Sequence, residues 1–249
     1  MPGDVVLMET SNEWAAAREV QQGFMPSRSL VIDCLDYDAR CRQVQALGGD
    51  FYDVMPLPGN RVAFAIGDAS GKGLAAALMS ANVQSSLRTA AWFAGGDGIS
   101  ALTAVNHQVH ASSLDGRYAT LFFGVFDPAV QTLRYVNAGH HPPMVIRRDG
   151  AISWLETGGA PVGMFPDWPY EEGVVQLNPA DTILAYTDGV IEIENPRAEE
   201  WGIEGLRLAG VHSGIRCAAD VVRAIFLGMD EFSCGCQIDD ATVFAFRVQ

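Results

Sequence analysis

Apolar positions recur along this chain in two rhythms, and the rhythms predict most of its elements. From Leu30 the segments SLVIDCL, FYDVMPL and RVAFAIGD are short, apolar and rich in β-branched or aromatic residues. Pro58-Gly59-Asn60 between the last two reads as the turn of an antiparallel hairpin. TLFFGVFD, TLRYVNAG and PMVIRR continue in the same way, broken by Pro128 and by an Arg148-Asp149-Gly150 turn, so these strands are joined as hairpins and not as βαβ units. DTILAYTDGV and ATVFAFRV read as further buried strands. The slower, helical rhythm covers residues 73–93, an Ala-rich run of good helix formers, then 99–112 beyond a GGDG break, and later 218–232. TGGAPVGMFPDWPYEEG, dense in Gly and Pro, is expected to be a surface loop. Strands in hairpins with helical blocks between them predict an α+β layered domain.

The front of the chain is different. Thr10 or Ser11 is placed to cap a helix running to about Gly23, with Glu13 in the capping-box position for Thr10, and Pro26 ends it. Its Trp14, Ala17, Val20 and Phe24 form a narrow apolar stripe, which suits docking on its own domain or a connector or dimer seam. Residues 1–26 are therefore read as a connector helix and 27–249 as one catalytic-sized domain.

Composition narrows the function classes. A chain of 249 residues that is 49% hydrophobic can bury a sizeable core without splitting in two. Its formal charge of −14, from 30 acidic and 16 basic residues, repels nucleic acid and anionic membranes. Neither a membrane-length apolar run nor a basic-then-apolar leader is visible, so a cytoplasmic protein is expected. The five cysteines make no paired CxxC pattern and are expected to be reduced and mostly buried.

The chemistry lies in the acids. Asp50 follows a Gly pair, Asp68 ends RVAFAIGD, Asp188 ends TILAYTDG, and Asp239 precedes ATVFAF, so each stands at the tip of an apolar strand. Strand tips on one edge of a sheet converge, and four carboxylates there repel by several kcal/mol unless cations neutralise them. Any one of them alone is better read as a turn cap. Carboxylate oxygens are hard donors, so the ions expected are Mg²⁺ or Mn²⁺. A pair of such ions lowers the pKa of a shared water and clamps phosphoryl oxygens.

Five motifs in order, GGDFYD, GDASGKG, NAGHHPP, YTDGVIE and DDAT, resemble those of the SpoIIE/RsbU-type bacterial members of the metal-dependent (PPM, type 2C) serine/threonine protein phosphatases. The resemblance runs from about Gln21 to Gln249. It implies a four-layer α-β-β-α sandwich of two antiparallel sheets flanked by helices, with two Mn²⁺ or Mg²⁺ ions at one end. It implies that Asp68 bridges the ions, that the Ala69 carbonyl and Asp50 serve one of them, and that Asp188 and Asp239 serve the other. Hydrolysis would then be by ion-activated water, without a phosphoenzyme. Asp53 and Asp240 match supporting positions, and Lys72 in SGKG is placed to meet phosphate or a substrate carboxylate. The implied substrate is a phosphorylated STAS-domain antagonist of an anti-sigma factor. With no sensor module ahead of the connector, a separate activator protein or a longer parent chain is expected. The competing expectation is a catalytically silent docking module of the same fold. Leu47, where valine is usual, is expected to alter packing and not chemistry.

Other patterns fall away. GGD opens the GGDEF signature of diguanylate cyclases, but Phe51 stands where that signature has glutamate. GDASGKG is one residue short of a P-loop, and Gly73 stands where Ser or Thr should meet Mg²⁺. In CLDYDAR, a Cys-x5-Arg spacing, two aspartates would repel the phosphate dianion. His140 in AGHHPP is a candidate proton donor, with a shaped turn as the plainer alternative. His107 and His110 share a helix face but lack further ligands and read as surface residues.

Overall fold

The computed structural model describes residues 2–26, 35–113, 116–211 and 217–249. Strands β2 (Phe51–Leu57) and β3 (Arg61–Ala69) form the expected hairpin, and β4 (Ala119–Asp127) and β5 (Thr132–Ala138) extend it antiparallel. Two short strands of the Gly/Pro-rich loop region, β8 (Gly158–Gly159) and β9 (Gly173–Gln176), both pair with β5, β8 in parallel. The second sheet runs in the order β1 (Leu35–Arg42), β11 (Ala241–Val248), β10 (Thr182–Tyr186), β6 (Met144–Ile146), β7 (Ile152–Trp154). Most of SLVIDCL lies outside the described residues.

Side-chain parity builds the layers. In β3, Val62, Phe64 and Ile66 point one way and Ala63, Ala65 and Ala69 the other, because successive strand residues alternate faces. The first set joins Phe122, Phe126, Phe244 and Phe246 in an aromatic core between the two sheets, where Phe64 and Phe246 meet edge-on at 4.5 Å. The small alanines of the second set let α2 (Leu74–Phe93) and α3 (Gly98–Ser112) lie close on the outer face, burying Val83, Leu87, Leu102 and Val105. On the far side, α5 (Gly202–Val211) and α6 (Ala218–Ser233) cover the second sheet through Leu206, Val221, Ile225 and Phe226. The result is the predicted α-β-β-α sandwich.

Three expectations are corrected. Helix α1 runs from Pro2 to Phe24, so Thr10 and Ser11 fall inside it and not at its start. Nothing between Gly3 and Gly23 breaks a helix, and local propensity carries it through the supposed cap. Its apolar stripe is not docked on the described residues: Trp14 is 43% and Val20 64% exposed, while the residue that is buried is Gln21. The thiols are free but not mostly buried, since Cys234 and Cys236 are exposed beyond α6, and Cys34 lies outside the described residues.

Candidate active site

The parity that builds the core also aims the acids. Asp68 continues the Val62, Phe64, Ile66 series, and Asp50 the Tyr52, Val54 series, so both carboxylates face into the gap between the sheets at one of its ends. Asp50 is 1% exposed, and its Oδ2 accepts from the hydroxyls of Thr187 and Thr242, each at 2.7 Å. Those threonines belong to the other sheet, one following β10 and one in β11, so Asp50 is gripped by strands from across the sandwich. Asp68 lies close enough to Asp50 for each carboxylate to act on the other's charge.

Asp68, Asp188, Asp239 and Asp240 line one cleft of about 210 Å³. Asp188 opens the short helical turn α4 (Asp188–Ile191), and Asp239 and Asp240 lead into β11. Asp240 reaches back to the glycine turn, accepting from the backbone N–H groups of Val44 at 2.8 Å and Gly49 at 3.1 Å. Lys72 donates to Asp239 Oδ2 at 2.6 Å across the cleft, and this bond to Asp239 raises its pKa. Burial, followed by the charges of Asp188, Asp239 and Asp240, pushes the Asp68 carboxyl up to about 7. Asp50 is driven well above the carboxylate range, first by burial and then by Asp68.

These residues suit divalent cations in kind. A Cβ built on Gly49 would come within 2.9 Å of the Ala69 carbonyl oxygen and 3.0 Å of Asp68 Oδ1, so the glycine keeps open a space that two hard oxygens face. The raised Asp68 carboxyl marks negative charge without enough positive charge to balance it. The Lys72 ammonium shows where part of that demand is already met. Among the described residues, no three His, Cys, Asp or Glu side chains are drawn together tightly enough to hold an ion as they stand. Mutual repulsion accounts for this spacing, with Asp239 turned to Lys72 and Asp50 to its threonines.

The other predicted site residues separate. Asp53, three residues on and so of opposite parity to Asp50, faces α2, where Arg88 holds both its oxygens at 2.5 and 3.0 Å. It orients no residue of the cleft. Arg88 also donates to the Phe24 carbonyl at 2.7 Å, so this buried pair anchors the end of α1. His140 is buried, its Nδ1 paired with Thr120 Oγ1 at 2.9 Å, and Thr120 is the register partner of Asp68. Burial, with His141 beside it, drives its pKa down to about 3. A neutral, enclosed imidazole is a shaping group and not a proton donor near neutral pH. His110 takes the Gly163 carbonyl at 3.0 Å and His107 sits exposed near Asp167.

Sequence reasoning passed over Thr187, Thr242, Gln21 and Arg88. The first two were findable, because Thr187 lies one residue before the strand-tip Asp188 and Thr242 within DDAT, both on the parity of the inter-sheet face. Gln21 binds Gly48 from both sides, donating to its carbonyl at 2.7 Å and accepting from its N–H at 3.3 Å. No local pattern marks a lone Gln on a helix for that task.

A two-sheet sandwich with helices outside and carboxylates at one end of the inter-sheet gap defines the PP2C, or PPM, class of phosphatase domains. The SiaA PP2C domain of Pseudomonas aeruginosa superposes with a TM-score of 0.85 at 19% identity, covering 98% of this chain and 99% of that one. The catalytic domain of the serine/threonine phosphatase PstP in complex with two manganese ions gives a TM-score of 0.64 at 19% identity, covering 86% and 98%. The family model for stage II sporulation protein E (SpoIIE) matches residues 58–249, and this chain belongs to that family. Protein IcfG of Synechocystis is 28% identical over 94% of this chain and 41% of its own length. The phosphoserine phosphatase RsbP of Bacillus subtilis is 25% identical over 74% of this chain and 46% of its own. The chain thus spans less than half the length of these two relatives. No helix among the described residues is long and apolar enough to cross a membrane.

Proposed function

We propose that the chain is a protein serine/threonine phosphatase dependent on two Mn²⁺ or Mg²⁺ ions. One observation carries this reading: strands from both sheets bring Asp68, Asp188 and Asp239 to a single cleft with Asp50 behind them. Asp50, Asp68, the Ala69 carbonyl, Asp188 and Asp239 would hold the ions, which when bound supply a water of lowered pKa and neutralise phosphoryl charge. Thr187 and Thr242 favour the ionised form of Asp50 and aim it, against the upward pull of burial, and Asp240 fixes the glycine turn against the cleft. Lys72 must let go of Asp239 as the site loads, and its ammonium is then free to meet the incoming phosphate or a carboxylate of the substrate.

The similarity to RsbP supports a phosphoserine or phosphothreonine protein as substrate, and by extension a STAS-domain antagonist of an anti-sigma factor. The exposed Trp14 and Val20 support pairing of two copies through α1, with an upstream activator acting on that helix. The second reading is a silent docking module, favoured by the Lys72–Asp239 bond, which occupies a ligand the ions need. Hydrolysis of p-nitrophenyl phosphate and a phosphothreonyl peptide with Mn²⁺, in the native protein and in Asp68→Asn, decides between them. Turnover that disappears in the variant supports the enzyme. Equal rates, or none in either protein, sink it.

A further inference from the structure

The cleft holds far more acid than base. Asp68, Asp188, Asp239 and Asp240 line it, Asp50 lies behind, and its one lining cation, Lys72, is bound to Asp239. Two divalent ions and Lys72 supply five positive charges, which these five carboxylates cancel. A phosphomonoester arrives as a dianion, so Lys72, even when released from Asp239 to meet it, brings one charge against two and leaves room for a further positive group.

Arg117 stands beside that space. Its Nη1 would lie 3.0 Å from a Cβ built on Gly71, and Gly71 lines the cleft next to Lys72. Gly71 has φ of +100°, a conformation that L side chains rarely adopt, and any side chain there would also crowd the guanidinium. The backbone around Arg117 is pinned on both sides. Ser70 N donates to the Tyr118 carbonyl at 2.9 Å, Tyr118 N donates to Ser70 Oγ at 3.1 Å, and Ser113 Oγ donates to the Arg117 carbonyl at 2.7 Å. Ser70 is two residues from Asp68, so the segment bearing Arg117 is tied directly to the strand bearing the central carboxylate. Among the described residues the Arg117 guanidinium has no ion pair or hydrogen bond, although the protein is strongly acidic. A planar guanidinium, always charged, matches two oxygens of a phosphoryl group at once.

We infer that Arg117 is a substrate-binding residue that receives phosphoryl oxygens at the lip of the cleft, opposite the carboxylates. This rests on the phosphatase reading above. The test compares the native protein with Arg117→Gln and Arg117→Lys under saturating Mn²⁺. In Arg117→Gln the KM for both p-nitrophenyl phosphate and a phosphothreonyl peptide should rise on the order of tenfold to a hundredfold, as expected for loss of a charge-assisted hydrogen bond. The Kd of inorganic phosphate for the Mn²⁺-loaded protein, measured by calorimetry, should rise by the same factor. Arg117→Lys should recover part of each. Unchanged KM and phosphate Kd would overturn the assignment. A change for the peptide alone would also overturn it, since the contact would then lie off the phosphoryl group. Loss of Mn²⁺ affinity or a lowered melting temperature in Arg117→Gln would make the residue structural. A native protein that hydrolyses neither substrate defeats the phosphatase reading first, and this inference with it.

Discussion

Asp68→Asn should make the metal-free protein more stable while removing what the site is for. Burial and three neighbouring carboxylates raise the Asp68 carboxyl from 3.8 to about 7. Below the unfolded value the group is protonated in both states and costs nothing. As pH rises above 3.8 the unfolded chain loses its proton first, so the folded state is progressively disfavoured until it too ionises near 7. At about 1.36 kcal/mol per pKa unit, the full span is about 4 kcal/mol near pH 8.5, about 2 near pH 5.5, and under about 1 near pH 4. Asparagine escapes this cost and can donate to Asp50. At ~2–4 °C per kcal/mol for a chain of this size, Asp68→Asn in EDTA should melt roughly 8–16 °C above the native protein at pH 8.5. The gap should narrow steadily as pH falls. Added Mn²⁺ should close the gap and, once both proposed ions are at a hundred times their Kd, reverse the order, since each then stabilises the native protein by about 2.7 kcal/mol and the variant lacks the carboxylate proposed to bridge them. Thermal melts of both proteins over this pH range, with EDTA and with Mn²⁺, give the answer. A variant that melts lower than the native protein in EDTA at high pH, or a gap that ignores pH, would refute the reasoning that burial and neighbouring carboxylates make the ionised Asp68 costly in the metal-free protein.

Further outcomes are expected elsewhere. Thr187→Val and Thr242→Val each remove a hydroxyl from buried Asp50, so each should cost about 1–3 kcal/mol and weaken Mn²⁺ binding in a calorimetric titration. Arg88→Ala leaves the fully buried Asp53 carboxylate unpaired and should cost about 3–5 kcal/mol in a urea melt with Mn²⁺ affinity unchanged, because that pair stabilises α1 and α2 and not the cleft. His140→Asn should leave the inflections of the pH–rate profile between about pH 5.5 and 8 where they are, since burial keeps this imidazole neutral throughout. Phe64→Ala, at the centre of the inter-sheet aromatics, should cost about 3–5 kcal/mol by chemical denaturation.

Most of the long elements were legible in the chain because their periodicity is strong: β2, β3, β4, β5, β11 and the helices α2, α3 and α6 fall within a residue or two of where the pattern puts them. Parity carries more than element type. It aims Asp50 and Asp68 into the gap and turns Asp53 away from it, a distinction available from YDV and AIGD once the hairpin register is granted. What was not legible has physical causes. Helix α5 carries Gly202, Gly205 and Gly210, which argue against a helix locally, yet a Cβ at Gly205 would collide with the Trp201 indole, and one at Gly228 would meet the same ring at 2.9 Å. Close packing of α5 and α6 around one tryptophan overrides propensity there. Strands β8 and β9 are too short to show alternation. Among the site residues, the acids announce themselves by standing at strand tips, whereas Arg117 becomes visible only when the loop ahead of β4 folds beside Gly71.

The place of β11 has a consequence for the order in which the molecule comes into being. It lies between β1 and β10, pairing Leu35 with Val248 and Thr182 with Arg247, although it is the last strand in sequence. While earlier strands emerge from the ribosome, the middle of their sheet is missing, and with it Asp239 and the hydroxyl of Thr242 that steadies Asp50. The candidate site therefore cannot be complete before synthesis has delivered that strand. The same delay leaves the facing edges of β1 and β10 unpaired until β11 is made, which makes this stage one at which helper proteins in the cell have most to protect.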